Sequence, residues 1–320
     1  LDWDEIVRQA LVSPRLAGTV MVTPETKITA GVGVFRNETT LAFLTAPQNG
    51  QRFDQFYVNG APSGAPVVTQ FFVPPGAIRA PESVNWSAGV EHKLPGAVGA
   101  RLEYIQRTGI HDFVYDNPVA DVTGTVGGNY FLTSERRNRY YGVQVTARRD
   151  FRGHHAILAS YTRSRARSNA ALDVSFDNPI FGRQQAGVLP WDAPNRVVSW
   201  GFLPPPHVWR WKFQQWDLAY SLEWRTGFAF SYVNAQQALV GAPDAHRFPD
   251  YFTFNPALER RFRFHKYLWA LRGGINNATG RQNPTVVDPN INSPTFGQFS
   301  GYRGRAFEAR IRFLGKEAAP

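Results

Sequence analysis

Adjacent histidines, His154 and His155, are the first side chains here with metal-ligand chemistry, but no third ligand lies near them and the other five histidines are isolated. A zinc-type site needs three or four ligands, so a solvated turn accounts for the pair better. Asp217 and Glu223 are a candidate acid–base pair. They lie six residues apart in a stretch of alternating polarity, which separates them by roughly 20 Å along a strand. At that distance they read as wall charges, paired with Arg225 or with arginines of neighbouring strands. The sequence has no cysteine, no Gly-rich phosphate cradle and no nucleophile elbow. No catalytic residue, metal site or cofactor is therefore expected. The ligand candidates are aromatic and polar residues in one long connection: Phe176, Asp177, Asn178, Phe181 and Arg183, then Trp191 and Asp192. Aromatic faces beside amides and charges suit sugars, peptides or chelates, and equally suit packing of loop on loop.

The elements that must position these residues alternate with period 2. In Trp216–Tyr232, Trp216, Leu218, Tyr220, Leu222, Trp224, Phe228, Phe230 and Tyr232 share one face, while Asp217, Glu223 and Arg225 share the other. Near the C-terminus, Phe307, Ala309, Ile311 and Phe313 oppose Glu308, Arg310 and Arg312. Slipping that strand by one residue would put three charges into lipid, at about 2–4 kcal/mol for each arginine near the midplane. Val98, Ala100, Leu102 and Tyr104 oppose Arg101 and Glu103, and Tyr141, Val143 and Val145 oppose Gln144, Thr146 and Arg148. Val198, Trp200 and Phe202 oppose Ser199 and Gly201. The pattern assigns Arg101, Glu103, Arg148, Asp217, Glu223, Arg225, Glu308, Arg310 and Arg312 to a hydrated lumen. It assigns Trp86, Tyr104, Tyr141, Trp200, Trp216, Trp224, Phe307 and Phe313 to a lipid-facing surface with interfacial rings.

Connections alternate short and long. The short ones fall near 23–26, 94–97, 150–153, 204–210 and His265; the long ones run near 37–83, 108–138, 164–195, 234–250 and 277–302. Short turns on one side and long loops on the other are the signature of a transmembrane β-barrel. Eleven strands are expected, near 15–22, 27–36, 84–94, 97–107, 139–149, 155–164, 195–203, 212–233, 251–264, 266–276 and 303–314. Single-chain bacterial barrels normally have an even strand number, so eleven points to a fragment, and it is half of the 22 strands of plugged transporters. The fold class expected is all-β: a partial antiparallel transmembrane barrel, the C-terminal half of a larger one. Residues 1–14 would end a missing extracellular loop, 15–314 would form strands and loops, and 315–320 a tail.

Composition agrees. Charged residues are 19% and aromatics 14%, with nine Trp and twelve Tyr. No apolar run approaches the roughly 18–20 residues of a membrane-spanning helix, so a spanning reading requires a closed barrel. A soluble β-sandwich also alternates, but its strands are shorter and its loops are not one-sided. The net charge of +10 is scattered along strands and loops rather than gathered in a patch, which argues against nucleic acid. The chain begins at Leu1 and continues with acidic Asp2, Asp4 and Glu5, which reads as processed or truncated rather than as a signal peptide.

Several segments resemble the C-terminal barrel half of TonB-dependent receptors, in particular the Oar-like group with carboxypeptidase-regulatory-like extensions. They are Ser13-Pro14-Arg15-Leu16 with Gly31-Val32-Gly33-Val34-Phe35, Trp86-Ser87-Ala88-Gly89-Val90-Glu91 with Leu94-Pro95-Gly96, and Ala159-Ser160-Tyr161-Thr162-Arg163-Ser164. Trp191-Asp192-Ala193-Pro194-Asn195-Arg196-Val197, Arg225-Thr226-Gly227-Phe228-Ala229-Phe230-Ser231 and Gly274-Ile275-Asn276-Asn277-Ala278-Thr279 follow in the family's order. The tail departs from it, since Lys316–Pro320 extends past Phe313 where family barrels often stop. The resemblance implies a Gram-negative outer-membrane importer of a scarce small solute such as a siderophore, carbohydrate or peptide. Its partners would be outer-membrane lipid and the TonB system, reached through a plug domain absent from this chain. The competing reading is an adhesion or surface-structure barrel that binds a polymer and imports nothing.

Overall fold

In the computed structural model the chain is almost entirely β-strand, and the structure describes residues 2–36, 39–76, 78–117, 128–151, 155–172, 180–204 and 216–316. Eleven strands form one antiparallel meander: β1 Arg15–Thr23, β2 Thr26–Arg36, β3 Glu82–Leu94, β4 Val98–Asp116, β5 Gly128–Asp150 and β6 Ala156–Ser168. It continues through β7 Asn195–Leu203, β8 Trp216–Arg225, β9 Tyr251–Phe264, β10 Tyr267–Asn276 and β11 Ala306–Lys316. Every strand pairs with its neighbours in sequence, and the sheet is open, with β1 and β11 paired on one side only. It is a partial barrel wall with two free edges, each a template for further pairing.

Two expected boundaries differ. The segment expected as one strand over 212–233 ends at Arg225, and residues 205–215 lie outside the described residues. Phe228, Phe230 and Tyr232 leave the sheet for short loop hairpins, 229–230 with 246–247 and 232–233 with 239–240. The segment expected as a loop over 108–138 is mostly strand, since β4 and β5 run on as a hairpin to Asp116 and Gly128. The extension is stabilised by a small apolar core of its own. Phe113, Tyr115, Tyr130 and Leu132 pack against Phe71 and Ala46 from the 37–81 connection. Val67–Phe72 adds parallel to β5, and the Tyr115 hydroxyl donates to the Phe43 carbonyl at 2.5 Å.

Cross-strand partners share a face, so the register decides which residues lie together. One face carries Lys27–Glu91 (2.9 Å), Arg196–Glu223 (2.9 Å), His155–Asp217 (2.7 Å) and Arg312–Glu259 (2.5 Å). In-strand neighbours at i and i+2 add Arg101–Glu103 (2.7 Å), Arg148–Asp150 (2.8 Å) and Glu308–Arg310 (3.2 Å). The opposite face carries Trp86 tilted against Tyr104 at 4.9 Å, with Tyr141, Trp216, Trp224, Phe307 and Phe313. Its exposure is high, 81% for Phe307 and 67% for Ile311, so none of the described residues covers it there.

Trp200 is the exception. It was expected on the apolar face, but it pairs with Leu158 and Ser221 and stands on the polar face with Val198 and Phe202. Neighbouring strands force this parity: Arg196 is held beside Glu223 and Val197 beside Trp224, so β7 cannot flip alone. The outward position next to Trp200 is Gly201, whose missing side chain leaves room for the Tyr220 ring lying against it. In detergent micelles, single cysteines at Trp200 and Arg310 should react rapidly with a charged maleimide, and those at Ser199 and Ile311 slowly. Equal labelling at 199 and 200 would show that this parity is wrong.

Candidate functional site: a cleft at the loop end of the polar face

Four adjacent strands bring their polar-face side chains to one cleft of about 490 Å³ at the end where the long connections leave the sheet. Strand alternation puts Tyr140 and Gln144 of β5 and Thr162 and Ser164 of β6 on this face. Arg196 from β7 and Glu223 and Arg225 from β8 complete the floor. Trp191 and Phe228 come from loops and form its aromatic rim. Trp191 is 53% exposed, and Arg225 lies over the Phe228 ring at 3.6 Å and over Tyr251 at 4.6 Å. The Arg196–Glu223 pair leaves Arg225 as the net charge of the cleft floor. Its size is in the range of small-ligand pockets, and its chemistry suits a planar or amphiphilic solute with an anionic group.

Loop folding holds the rim. Asp192 is buried; its Oδ1 accepts from the Ala166 amide at 2.6 Å and its Oδ2 from Arg247 Nη2 at 2.5 Å. Arg247 Nη1 also donates to the carbonyls of Asp192 (2.7 Å) and Gly227 (3.0 Å). One carboxylate and one guanidinium thus tie the 169–194 connection to the 226–250 connection. Gly227 has no alternative residue, because a Cβ there would collide with the Phe248 carbonyl. In the outermost connection, hydrogen bonds from Ser293 and Thr295 hold the Asp288 carboxyl below the usual range.

Of the residues singled out by sequence, the cleft gathers Trp191, Asp192, Glu223 and Arg225. Asp192 is there as a scaffold, with both oxygens engaged inside the protein. Phe181 is buried in the loop core, hydrogen-bonded through its backbone to Gln237 and Leu239, and Arg183 is exposed. Phe176, Asp177, Asn178 and His154 lie outside the described residues. Asp217 pairs with His155 rather than with Arg225, and Arg101 and Arg148 line a second cleft at the short-turn end. Sequence reasoning missed Tyr140, Thr162, Ser164 and Arg196. Their i, i+2 and i, i+4 spacing on polar positions was a usable signal. The Arg247 contact, 55 residues away from Asp192, offered none.

The same fold occurs in solved outer-membrane proteins. The outer membrane transporter YddB of Escherichia coli aligns over 97% of this chain and 41% of its own, with 12% identity and a TM-score of 0.64. A variant of the ferric enterobactin receptor PfeA of Pseudomonas aeruginosa aligns over 93% and 39%, with 14% identity and a TM-score of 0.61. The siderophore receptor PirA of Acinetobacter baumannii aligns over 94% and 40%, with 14% identity and a TM-score of 0.60. The fold is that of part of a TonB-dependent receptor barrel. The chain spans about 40% of the length of those structures. No family model and no curated protein matches the sequence.

Removing the Arg247 side chain strands a buried carboxylate, at a cost of about 1–3 kcal/mol. Arg247→Ala should raise hydrogen exchange and proteolysis in 180–194 and 226–250 while leaving barrel melting almost unchanged. Unchanged loop protection would refute the staple.

Proposed function

We propose that the chain forms wall and mouth of a TonB-dependent importer in the outer membrane of a Gram-negative bacterium. The cleft beneath the loops carries this reading: a small concave polar site, at the loop end of a wall whose other face is apolar. The apolar face meets lipid, because only a closed barrel satisfies every strand in a bilayer, and the charged face lines a hydrated lumen. Within this reading residues 1–14 end an extracellular loop, 15–314 supply eleven strands with their loops, and 315–320 form a tail. Eleven further strands would join the two free edges and close a barrel of 22, a size whose lumen is plugged.

The solute is held and positioned, not transformed. Trp191 and Phe228 offer flat faces, Arg225 with the Arg196–Glu223 pair orients an anionic group, and Thr162 and Ser164 supply hydroxyls. Siderophores, acidic sugars and peptides share this chemistry, and the proteins of like fold that bind ferric enterobactin or other siderophores support the first. Coupling to TonB would run through a plug domain outside these residues; the Oar-like resemblance supports that arrangement.

Cells should accumulate the solute only with TonB present, and uptake that persists without TonB would sink the importer reading in favour of surface binding. Trp191→Ala combined with Arg225→Gln should weaken solute binding to whole cells about tenfold or more, equivalent to at least about 1.4 kcal/mol. The wall remains folded in that variant, so surface expression should be unchanged.

A further inference from the structure

We infer that the apolar face carries a binding site for the phosphate groups of an anionic, acylated lipid of the outer leaflet, built from Arg139, Arg163, Arg165 and Arg167. The inference rests on the outer-membrane reading. The alternation in β6 puts Arg163, Arg165 and Arg167 on the same side as Tyr161, away from the cleft residues Thr162 and Ser164. Register with β5 sets Arg163 beside Val143, Arg165 beside Tyr141 and Arg167 beside Arg139. All four arginines are exposed. Residues at i and i+2 stand roughly 7 Å apart and directly opposed residues roughly 5 Å apart, so the guanidiniums form one compact cluster.

The cluster is uncompensated among the described residues. Elsewhere on the sheet several arginines are matched with carboxylates, as in Arg196–Glu223 and Arg312–Glu259. Among the described residues, none of these four has an ion-pair partner, and Arg163 contacts only the Asn195 amide oxygen, at 2.7 Å. Like charges placed directly opposite in a sheet repel, as Arg139 and Arg167 do. A phosphate relieves that repulsion and takes bidentate hydrogen bonds from a guanidinium fork.

Position selects a lipid. Arg163 stands level with Asn195, the first residue of β7, so the cluster begins where the sheet meets the long connections. Exposed Tyr141 and Val143 stand level with Arg165 and Arg163, and exposed Tyr161 and Val145 lie immediately below, as the upper edge of the apolar band. A ligand that spans both surfaces needs phosphate above and acyl chains below. Basic residues at a membrane surface recognise anionic headgroups on this principle.

The test uses the full-length protein inserted in phosphatidylcholine vesicles doped with bisphosphorylated lipid A or with its dephosphorylated form. Lipid retained after mild detergent extraction is counted by native mass spectrometry. The protein should retain the phosphorylated form at least about tenfold better, and the quadruple variant R139Q/R163Q/R165Q/R167Q should lose that preference. The quadruple lysine variant, which keeps charge without the fork, should retain part of it and verifies folding. Equal retention of both lipids, an undiminished preference in the glutamine variant, or displacement by equimolar inorganic phosphate would overturn the proposal. Failure to insert into any vesicle would instead refute the outer-membrane reading on which it stands.

Discussion

Cross-strand backbone pairing is the constraint on which the rest of this structure depends. A strand in lipid has no water to satisfy its amides and carbonyls, so each must bond to a neighbour. Ten sequential antiparallel pairings among the eleven strands do this, and they lock the parity of all the strands together. Once β11 directs Arg310 and Arg312 to one side, β10, β9 and β8 follow through their registers, and β7 through β8. Parity then overrules the preference of an individual residue. Trp200 and Phe202 stand on the charged face because Arg196 and Glu223 must meet there. The nearby His155 and Arg261 turn this to use, each lying against the Phe202 ring.

Charge is distributed by the same rule. The positive balance of the composition is not spread evenly over the folded sheet. On the polar face most cations find a carboxylate, two residues along the same strand, across or diagonal to it on the next strand, or one strand further on. Glu259 is the extreme case: it is 1% exposed and is approached by Arg312 at 2.5 Å and Arg261 at 3.7 Å. On the apolar face the unmatched arginines gather where the band ends. A charge that would be costly at the centre of a bilayer is tolerated at its edge, because guanidiniums there reach water and headgroups.

The long connections obey a different rule. They are not bound to the lipid, so they can bury apolar side chains against each other as a soluble domain does. Phe71, Tyr115, Tyr130 and Leu132 form such a core, and the buried Asp192–Arg247 pair fastens two further connections. The cleft needs both systems. Its floor comes from strand alternation and is rigid; its aromatic rim comes from loops, whose positions depend on contacts distant in sequence.

The sequence by itself determined the periodic part of this protein. Alternation of apolar and polar residues, and of short and long connections, located the eleven strands, the face of each terminal strand residue, and the partial-barrel class. Both signals are local, with a period of two residues or a length of connection, and so a single chain displays them. Glu223 and Arg225 were legible as polar-face charges by that same period, and Trp191 as a loop aromatic beside polar groups. Tertiary structure alone decided the parity of β7, whose short run Val198–Phe202 alternates large and small residues and carries no charge to orient it. It alone showed that 108–116 and 128–138 continue the strand pair rather than a loop, since aromatics such as Phe113 and Tyr130 gain their burial from residues 40–70 positions away. The Asp192–Arg247 and His155–Asp217 pairs likewise depend on folding, because electrostatic contacts over 55 and 62 residues leave no trace in local spacing.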